Sequence, residues 1–156
     1  MALAILVAVA ALLAGCGDDD ETISTTTSAA DDATGAISTE QWTAQADRIC
    51  AAGDRAQQQT ANLRFGDEAP TDAELEEFGR TILVPNLQAQ HDAIAGLPKP
   101  PGTEAQIDAM LSELEDGIDA ISNDPALLVQ GTDAVPGIRT ATELARELGL
   151  SDCGAG

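Results

Sequence analysis

The chain has 156 residues, and its 27 acidic and seven basic side chains give a formal net charge of −20 at pH 7. A protein this acidic repels phosphate backbones, so we exclude nucleic acid as a partner. Anionic lipid headgroups repel it as well, so any membrane contact is expected to come through an anchor rather than through the folded surface.

The N-terminal end of the chain is an apolar run over 2–14 that leads into Leu13-Ala14-Gly15-Cys16. Thirteen residues rising about 1.5 Å each form a helix of roughly 20 Å, shorter than the ~30 Å hydrocarbon core of a membrane. The run is therefore typical of a signal peptide. The alternatives are an ordinary secretory signal or a membrane anchor, each with a free thiol at Cys16.

The small residues before Cys16 resemble the bacterial lipobox. This resemblance implies that 1–15 is a lipoprotein signal peptide and that Cys16 carries a diacylglyceryl group, with palmitate-like chains, in thioether linkage. Two acyl chains anchor stably, so we predict an extracytoplasmic chain attached to the cell membrane through lipid on Cys16. Signal peptides usually begin with Lys or Arg, whereas the first basic residue is Arg48. We therefore expect that the natural start lies upstream or that a few N-terminal residues are lost.

The segment after the lipobox is polar and acidic. Residues 17–36 consist mainly of Gly, Asp, Ser, Thr and Ala, with six acidic residues and no basic one. Such a composition cannot bury enough apolar surface to offset the entropy of ordering. We predict a lipidated cysteine and disordered tether over 16–37, followed by one folded domain over 38–156.

The folded domain is predicted to be all-α, because four segments have helical periodicity and strand alternation is almost absent. Ser or Thr followed three positions later by Glu or Gln predicts capping boxes at Ser38, Thr71 and Thr103. Asp124-Pro125 is typical of a fourth helix start. Short connections favour antiparallel neighbours, which indicates an up-down-up-down four-helix bundle with an irregular fourth helix.

The predicted core consists of apolar residues at helical spacing. In chain order they are Trp42, Ile49, Ala56 and Leu63, then Leu75, Phe78, Ile82, Leu83, Leu87, Ile94 and Leu97, then Ile107, Met110, Leu111, Leu114, Ile118 and Ile121, and finally Ile138, Leu144, Ala145 and Leu148. Pro85 lies inside the second segment and predicts a kink or break there. Gly131 and Pro136-Gly137 interrupt the fourth, which is predicted to end at Gly149.

Two cysteines remain once Cys16 is assigned to the lipid, namely Cys50 and Cys153. An exported domain works in an oxidising compartment, which favours a disulfide between them. Metal ligation would need more ligands, and a redox role would need a close pair such as Cys-x-x-Cys. Cys50 lies roughly 18 Å along the first helix from its start, so the C-terminal tail would have to fold back to reach it.

Several short motifs resemble small helical lipoproteins of GC-rich actinobacteria. They are Ala46-Asp47-Arg48-Ile49-Cys50-Ala51-Ala52, Leu83-Val84-Pro85, Leu97-Pro98-Lys99-Pro100-Pro101 and the ending Gly149-Leu150-Ser151-Asp152-Cys153. The resemblance covers most of 38–153, although the motifs are only moderately specific. It implies the helical fold and the disulfide, and it implies neither an activity nor a cofactor.

Residues that could carry chemistry are few. His91 is the single histidine, and on a helix it is interpreted as a packing residue rather than a catalyst. Acidic residues crowd the first interhelical turn, where the helix dipole accounts for several of them. Calcium could also bind carboxylates there, and the weak metal candidates are Asp67, Glu68, Asp72 and Glu74.

We predict a non-catalytic interaction or binding module of the cell envelope, with an envelope protein or a cationic molecule as partner. The alternative is a carrier for a small apolar ligand or a metal ion, and an enzyme of unknown class ranks third. A cavity lined by Trp42, Phe78 and Met110 would favour the carrier, whereas a filled core with an exposed apolar patch would favour the interaction module. Small residues at predicted core positions could leave room for a ligand or allow close helix packing: Ala46, Ala56, Gly79 and Gly117.

Overall fold

The computed structural model describes residues 36–154, so Cys16 and the lipobox lie outside the described residues. The described part belongs to one compact unit, Asp32–Gly156. Its five α-helices are α1 (Thr39–Phe65), α2 (Asp72–Phe78), α3 (Val84–Ala95), α4 (Glu104–Asn123) and α5 (Pro136–Glu147). Strands are absent between 36 and 154, and the all-α prediction is confirmed for these residues.

Two of the three predicted capping boxes are confirmed. The Ser38 hydroxyl accepts from the Gln41 N–H at 3.2 Å, and the Thr71 N–H donates to the Glu74 carboxylate at 2.9 Å. The box at Thr103 is wrong, because its hydroxyl donates to the Pro100 carbonyl at 3.0 Å. Thr103 belongs to a turn and has φ −113° and ψ −1°. A helix N-cap needs an extended backbone, which this turn prevents.

The second predicted segment divides into α2 and α3 at a π-helical turn, Gly79–Leu83. In this turn the Val84 N–H donates to the Gly79 carbonyl, five residues earlier. Pro85 follows directly, and in an α-helix it would leave the Thr81 carbonyl without a donor and press its ring against that group. The predicted irregularity near Pro85 is therefore a widened turn. It raises the number of α-helices from the predicted four to five.

The region before α5 is irregular, as predicted. Two 3₁₀ segments, Pro125–Gln130 and Thr132–Ala134, flank Gly131, whose φ is 94°. Pro136 was expected to interrupt the fourth helix, but it is the first residue of α5. A proline is tolerated at that position because the first N–H groups of a helix have no partner within it.

The core of the described unit forms two apolar clusters. Cluster 1 contains Trp42, Ala46, Cys50, Ile94, Ile107, Met110, Leu111, Ala145 and Leu150. Cluster 2 contains Phe78, Leu83, Ile121, Leu128 and Val135. Because α4 contributes to both, it links the two halves of the core. None of the helices between 36 and 154 combines the length and the apolar character of a membrane span.

The buried face of α1 differs from the predicted one. Its buried residues follow one another at four-residue spacing: Trp42, Ala46 and Cys50. Ala56 is exposed and Leu63 is 90% exposed, so the prediction that they are core residues is wrong. A straight helix drifts by about 20° per heptad relative to a seven-residue repeat. Three heptads after Trp42, Leu63 has therefore turned away from the core.

The predicted disulfide between Cys50 and Cys153 is present, and the Cα atoms of the two residues are 5.2 Å apart. The chain reverses after α5 because Gly149 has φ 82°, and the Leu150 N–H then donates to the Ala145 carbonyl at 2.9 Å. This is the hydrogen-bond pattern of a Schellman cap. The tail that follows folds back along α1, as the predicted disulfide required.

Helices α4 and α5 pack closely through two glycines. A Cβ atom on Gly137 would lie 2.5 Å from the Gly117 nitrogen and 2.6 Å from the Glu113 carbonyl oxygen. A Cβ on Gly79 would collide with the end of the Leu128 side chain. Of the two possibilities left open for the small residues, Gly79 and Gly117 therefore serve close packing.

Candidate functional site

A cleft with a volume of about 290 Å³ lies where the two core clusters meet. Cys50, Met110 and Ala145 reach it from cluster 1, and Leu83 reaches it from cluster 2. Further apolar lining comes from Leu87, Leu114, Ile138 and Ala141. Apolar side chains from α1, α3, α4, α5 and the π-helical turn thus converge without filling the space between them.

The cleft is open because α1 offers no large apolar side chain at this level. After Cys50 the helix contributes Gly53, Asp54 and Gln57, and the polar residues line the cleft. Gly53 permits close approach to α3, since a Cβ there would collide with the side chain of Gln90. The helices therefore approach at Gly53 and leave a space beside it that α1 does not fill.

Gln90 is the buried polar residue of the cleft, with 7% of its surface exposed. Its Nε2 donates to Asn86 Oδ1 at 2.6 Å, and the Asn86 Nδ2 donates to the Gly53 carbonyl at 3.2 Å. These bonds tie α3 to α1. A buried amide would otherwise destabilise the fold, so the chain of donors helps to explain how Gln90 is tolerated there.

Two carboxylates line the cleft, Asp54 on α1 and Asp152 on the C-terminal tail. Burial raises the pKa of Asp54 above its ordinary value, and repulsion by Asp152 raises it further. The lining includes neither lysine nor arginine. The cleft therefore combines an apolar surface with uncompensated negative charge.

Asp47 holds the tail segment that carries Asp152. Its carboxylate accepts from the Ser151 N–H at 3.0 Å, the Ser151 hydroxyl at 2.8 Å and the Asp152 N–H at 2.9 Å. Partial burial alone would raise the pKa of Asp47, but these bonds, with a longer one from Cys153, outweigh it and lower the pKa. Together with the disulfide, Asp47 fixes one wall of the cleft.

Replacing Asp47 by asparagine is expected to lower the free energy of unfolding at pH 7 by about 1–2 kcal/mol, because charge-assisted bonds to the tail are lost. The stabilisation from a carboxylate with a lowered pKa is present above its unfolded value, 3.8, and is lost as pH falls through the lower folded value. Urea unfolding of both proteins at pH 7 and pH 3 should therefore show a difference that shrinks in acid. Asp67→Asn, at an exposed turn, should leave stability unchanged at both pH values. If Asp47→Asn lowered the free energy of unfolding equally at pH 7 and pH 3, the carboxylate of Asp47 would not be what holds the tail.

Other residues singled out from the sequence lie elsewhere. The side chain of His91 is mostly buried on α3, with its Nδ1 3.0 Å from Asp92 Oδ1, and does not line the cleft. The weak metal candidates are exposed residues: Asp67, Glu68, Asp72 and Glu74. No group of three histidine, cysteine or acidic side chains within 36–154 is arranged to hold a metal ion. Glu74 is engaged in the capping box with Thr71.

Most residues of the cleft could not be recognised from the sequence. Of Trp42, Phe78 and Met110, only Met110 lines it, while Trp42 is fully buried in cluster 1. The sequence motifs include neither Asp54 nor Gln90, and they include Asp152 only as part of the ending at 149–153. Gln90 could have been recognised from the sequence, because it is a polar residue at a core position of the apolar stripe that runs from Leu87 to Ile94.

Comparisons of the chain with protein-family models, with curated proteins and with solved structures find no match. The chemistry of the cleft therefore rests on the residues that line it: an apolar surface from both core clusters, a hydrogen-bonded buried amide, and two carboxylates.

Proposed function

We propose that this chain is a non-catalytic binding module of the cell envelope, attached to the membrane through lipid on Cys16, with a small ligand in the cleft between its helices. The observation that carries the proposal is the cleft itself. Ligand sites are typically concave and mostly apolar, with a few fixed polar groups. The cleft has this composition, and its volume of about 290 Å³ is near the lower end of the usual range.

The distribution of apolar side chains on the surface of residues 36–154 favours a ligand site over a flat face that binds another protein. The large apolar side chains that are exposed are Leu63 and Val129, on α1 and on the 3₁₀ segment before Gly131. Single exposed apolar residues are ordinary on soluble proteins and do not indicate an interface. The open apolar surface at the junction of the core clusters therefore favours a small molecule as occupant.

The shape of the cleft depends on how the helices are arranged. We propose that the four main helical segments follow an up-down-up-down order. The second main segment comprises α2, the π-helical turn and α3. Phe65, at the end of α1, contacts Phe78 in the first half of this segment, and their ring centroids are 5.5 Å apart. Earlier in α1, Gly53 pairs with Gln90. In α4 and α5, Gly117 approaches Gly137. Such pairings support antiparallel neighbours.

The tether gives the proposed module its position. Residues 17–36 carry six acidic residues and no basic residue. As a flexible tether, a chain of that length would span about 25 Å on average, and anionic headgroups would repel its charge. The module would therefore be held near the membrane without lying on it, with the cleft accessible to molecules of the envelope.

Native mass spectrometry of protein purified from its own host tests this proposal. We expect two added masses: a diacylglyceryl group on a chain that begins at Cys16, and a noncovalent small molecule that leaves on activation in the gas phase. The noncovalent mass tests the cleft, and the covalent mass tests the anchor.

A matched pair of variants assigns the noncovalent mass to the cleft. Leu114 lines the cleft, so Leu114→Trp should fill it and abolish the added mass. Leu63 is 90% exposed on α1, so Leu63→Trp should retain the mass. A ligand-free parent protein, or a folded Leu114→Trp variant that retains the ligand, would overturn the proposed site.

A further inference from the structure

We infer that the ligand of the cleft is a small organic cation, namely a protonated amine on an apolar body, with its ammonium group beside Asp54 and Asp152 and its body against the apolar lining. This inference rests on the proposed function, because it takes the cleft as the ligand site. It adds the chemical class of the ligand and the residues that select it.

The charge of the cleft favours a cationic ligand. Asp54 and Asp152 line the same cleft, and the lining includes no lysine, arginine or histidine to balance their charge. Within residues 36–154, neither carboxylate forms a salt bridge or accepts a side-chain or backbone hydrogen bond; this contrasts with Asp47, whose oxygens bind the tail. Two such acceptors near one apolar space suit a ligand that brings positive charge and N–H donors.

Partial loss of hydration at the Asp54 carboxylate also favours a cationic ligand. Asp54 and Asp152 are exposed residues at the rim of the cleft, but nearby protein removes part of the hydration of the Asp54 carboxylate and raises its pKa, and the charge of Asp152 raises it further. An ammonium group beside these carboxylates would offset both effects, because it replaces lost hydration and reduces the repulsion. An anionic ligand would increase both, so the same geometry disfavours a carboxylate or phosphate.

The apolar lining determines the size and the apolar character of the uncharged part of the ligand. Leu87, Met110 and Leu114 from α3 and α4 face the space together with Ile138 from α5. At roughly 30 Å³ per non-hydrogen atom, the share that water takes in the liquid, the cleft holds about ten such atoms. An unbranched amine of eight carbons has this size, and its chain needs no hydrogen-bonding partner.

The test uses residues 16–156 with Cys16→Ser, because the compact unit Asp32–Gly156 contains both core clusters and the disulfide. Calorimetric titrations at pH 7 and low salt compare three probes of equal length: n-octylammonium, n-octanol and n-octanoate. We expect octylammonium to bind about tenfold more tightly than octanol, with octanoate weakest, since two exposed charge pairs worth about threefold each together give this factor.

Variants separate the charge from the apolar contribution. Asp54→Asn and Asp152→Asn should each weaken octylammonium binding about threefold and leave octanol binding unchanged. The double variant should lose the preference for the cation. Asp67→Asn removes a charge from an exposed turn outside the cleft and should change nothing. Circular dichroism of each variant checks that the helices are intact.

The outcomes distinguish this inference from the proposed function. Equal binding of octanol and octylammonium, unaffected by either asparagine variant, would overturn the cation inference while the cleft remains a ligand site. A preference for octanoate, or no binding of octylammonium, would overturn it as well. If in addition native protein carries no ligand, the proposed function fails with it.

Discussion

Replacing both bridging cysteines, as Cys50→Ala with Cys153→Ala, is expected to lower the free energy of unfolding by about 4–5 kcal/mol. The bond joins residues separated by 103 positions, so without it the unfolded chain gains the entropy of a very long loop. Cys50 is also buried in cluster 1, and alanine leaves a small cavity there. A loss of this size is a large fraction of the stability of a domain of this length.

The measurement is urea unfolding followed by circular dichroism, with Cys16→Ser in both proteins so that no third thiol interferes. Reduction of the parent with dithiothreitol should produce nearly the same loss, and the same reductant should leave the double alanine variant unchanged. A double variant within about 1 kcal/mol of the parent would contradict the loop-closure explanation. Thiol labelling of the unreduced, denatured parent should find neither cysteine reactive.

The second large effect is expected at the contact of α4 and α5. Gly137→Ala should lower the free energy of unfolding by about 3 kcal/mol, at the upper end of the usual cost of overpacking. The added Cβ would lie 2.5 Å from the Gly117 nitrogen and 2.6 Å from the Glu113 carbonyl oxygen. Both are backbone atoms of α4, so no rotamer change can relieve the clash and the helices must separate.

Gly96→Ala is the matched control for this prediction. Gly96 follows α3 with φ −76°, and a Cβ there would meet its nearest atom at 3.4 Å. Alanine fits this backbone and reduces the entropy of the unfolded chain, so stability should be unchanged or rise by about 0.5 kcal/mol. Equal losses in the two variants, measured by the same urea unfolding, would show that the effect comes from losing a glycine rather than from the helix contact.

The two structural predictions bear on the proposed ligand site. The disulfide holds the tail on which Asp152 lies, and the Gly117–Gly137 contact sets the spacing of α4 and α5, which supply Met110, Leu114 and Ile138 to the lining. The shape of the cleft therefore depends on contacts outside it. Carboxylate-to-amide substitutions therefore suit the binding test, because they alter charge with little change of volume.

Sequence alone determined the features that depend on near neighbours in the chain. Capping boxes need residues three apart, which is why those at Ser38 and Thr71 could be predicted. The third predicted stripe is amphipathic throughout, and its residues from Ile107 to Ile121 are buried or half-buried in α4. The disulfide could be predicted from counting, since assigning Cys16 to lipid leaves one pair.

Tertiary structure decided the rest, because these features depend on which surfaces meet. The turn at Pro100 draws the Thr103 hydroxyl away from α4, and the drift of a straight helix turns Leu63 to solvent. The cleft needs Gly53 against Gln90, and Asp54 near Asp152, which are 98 residues apart in sequence. Local patterns specify helices and their apolar faces, but the space between faces is determined only when distant helices pack.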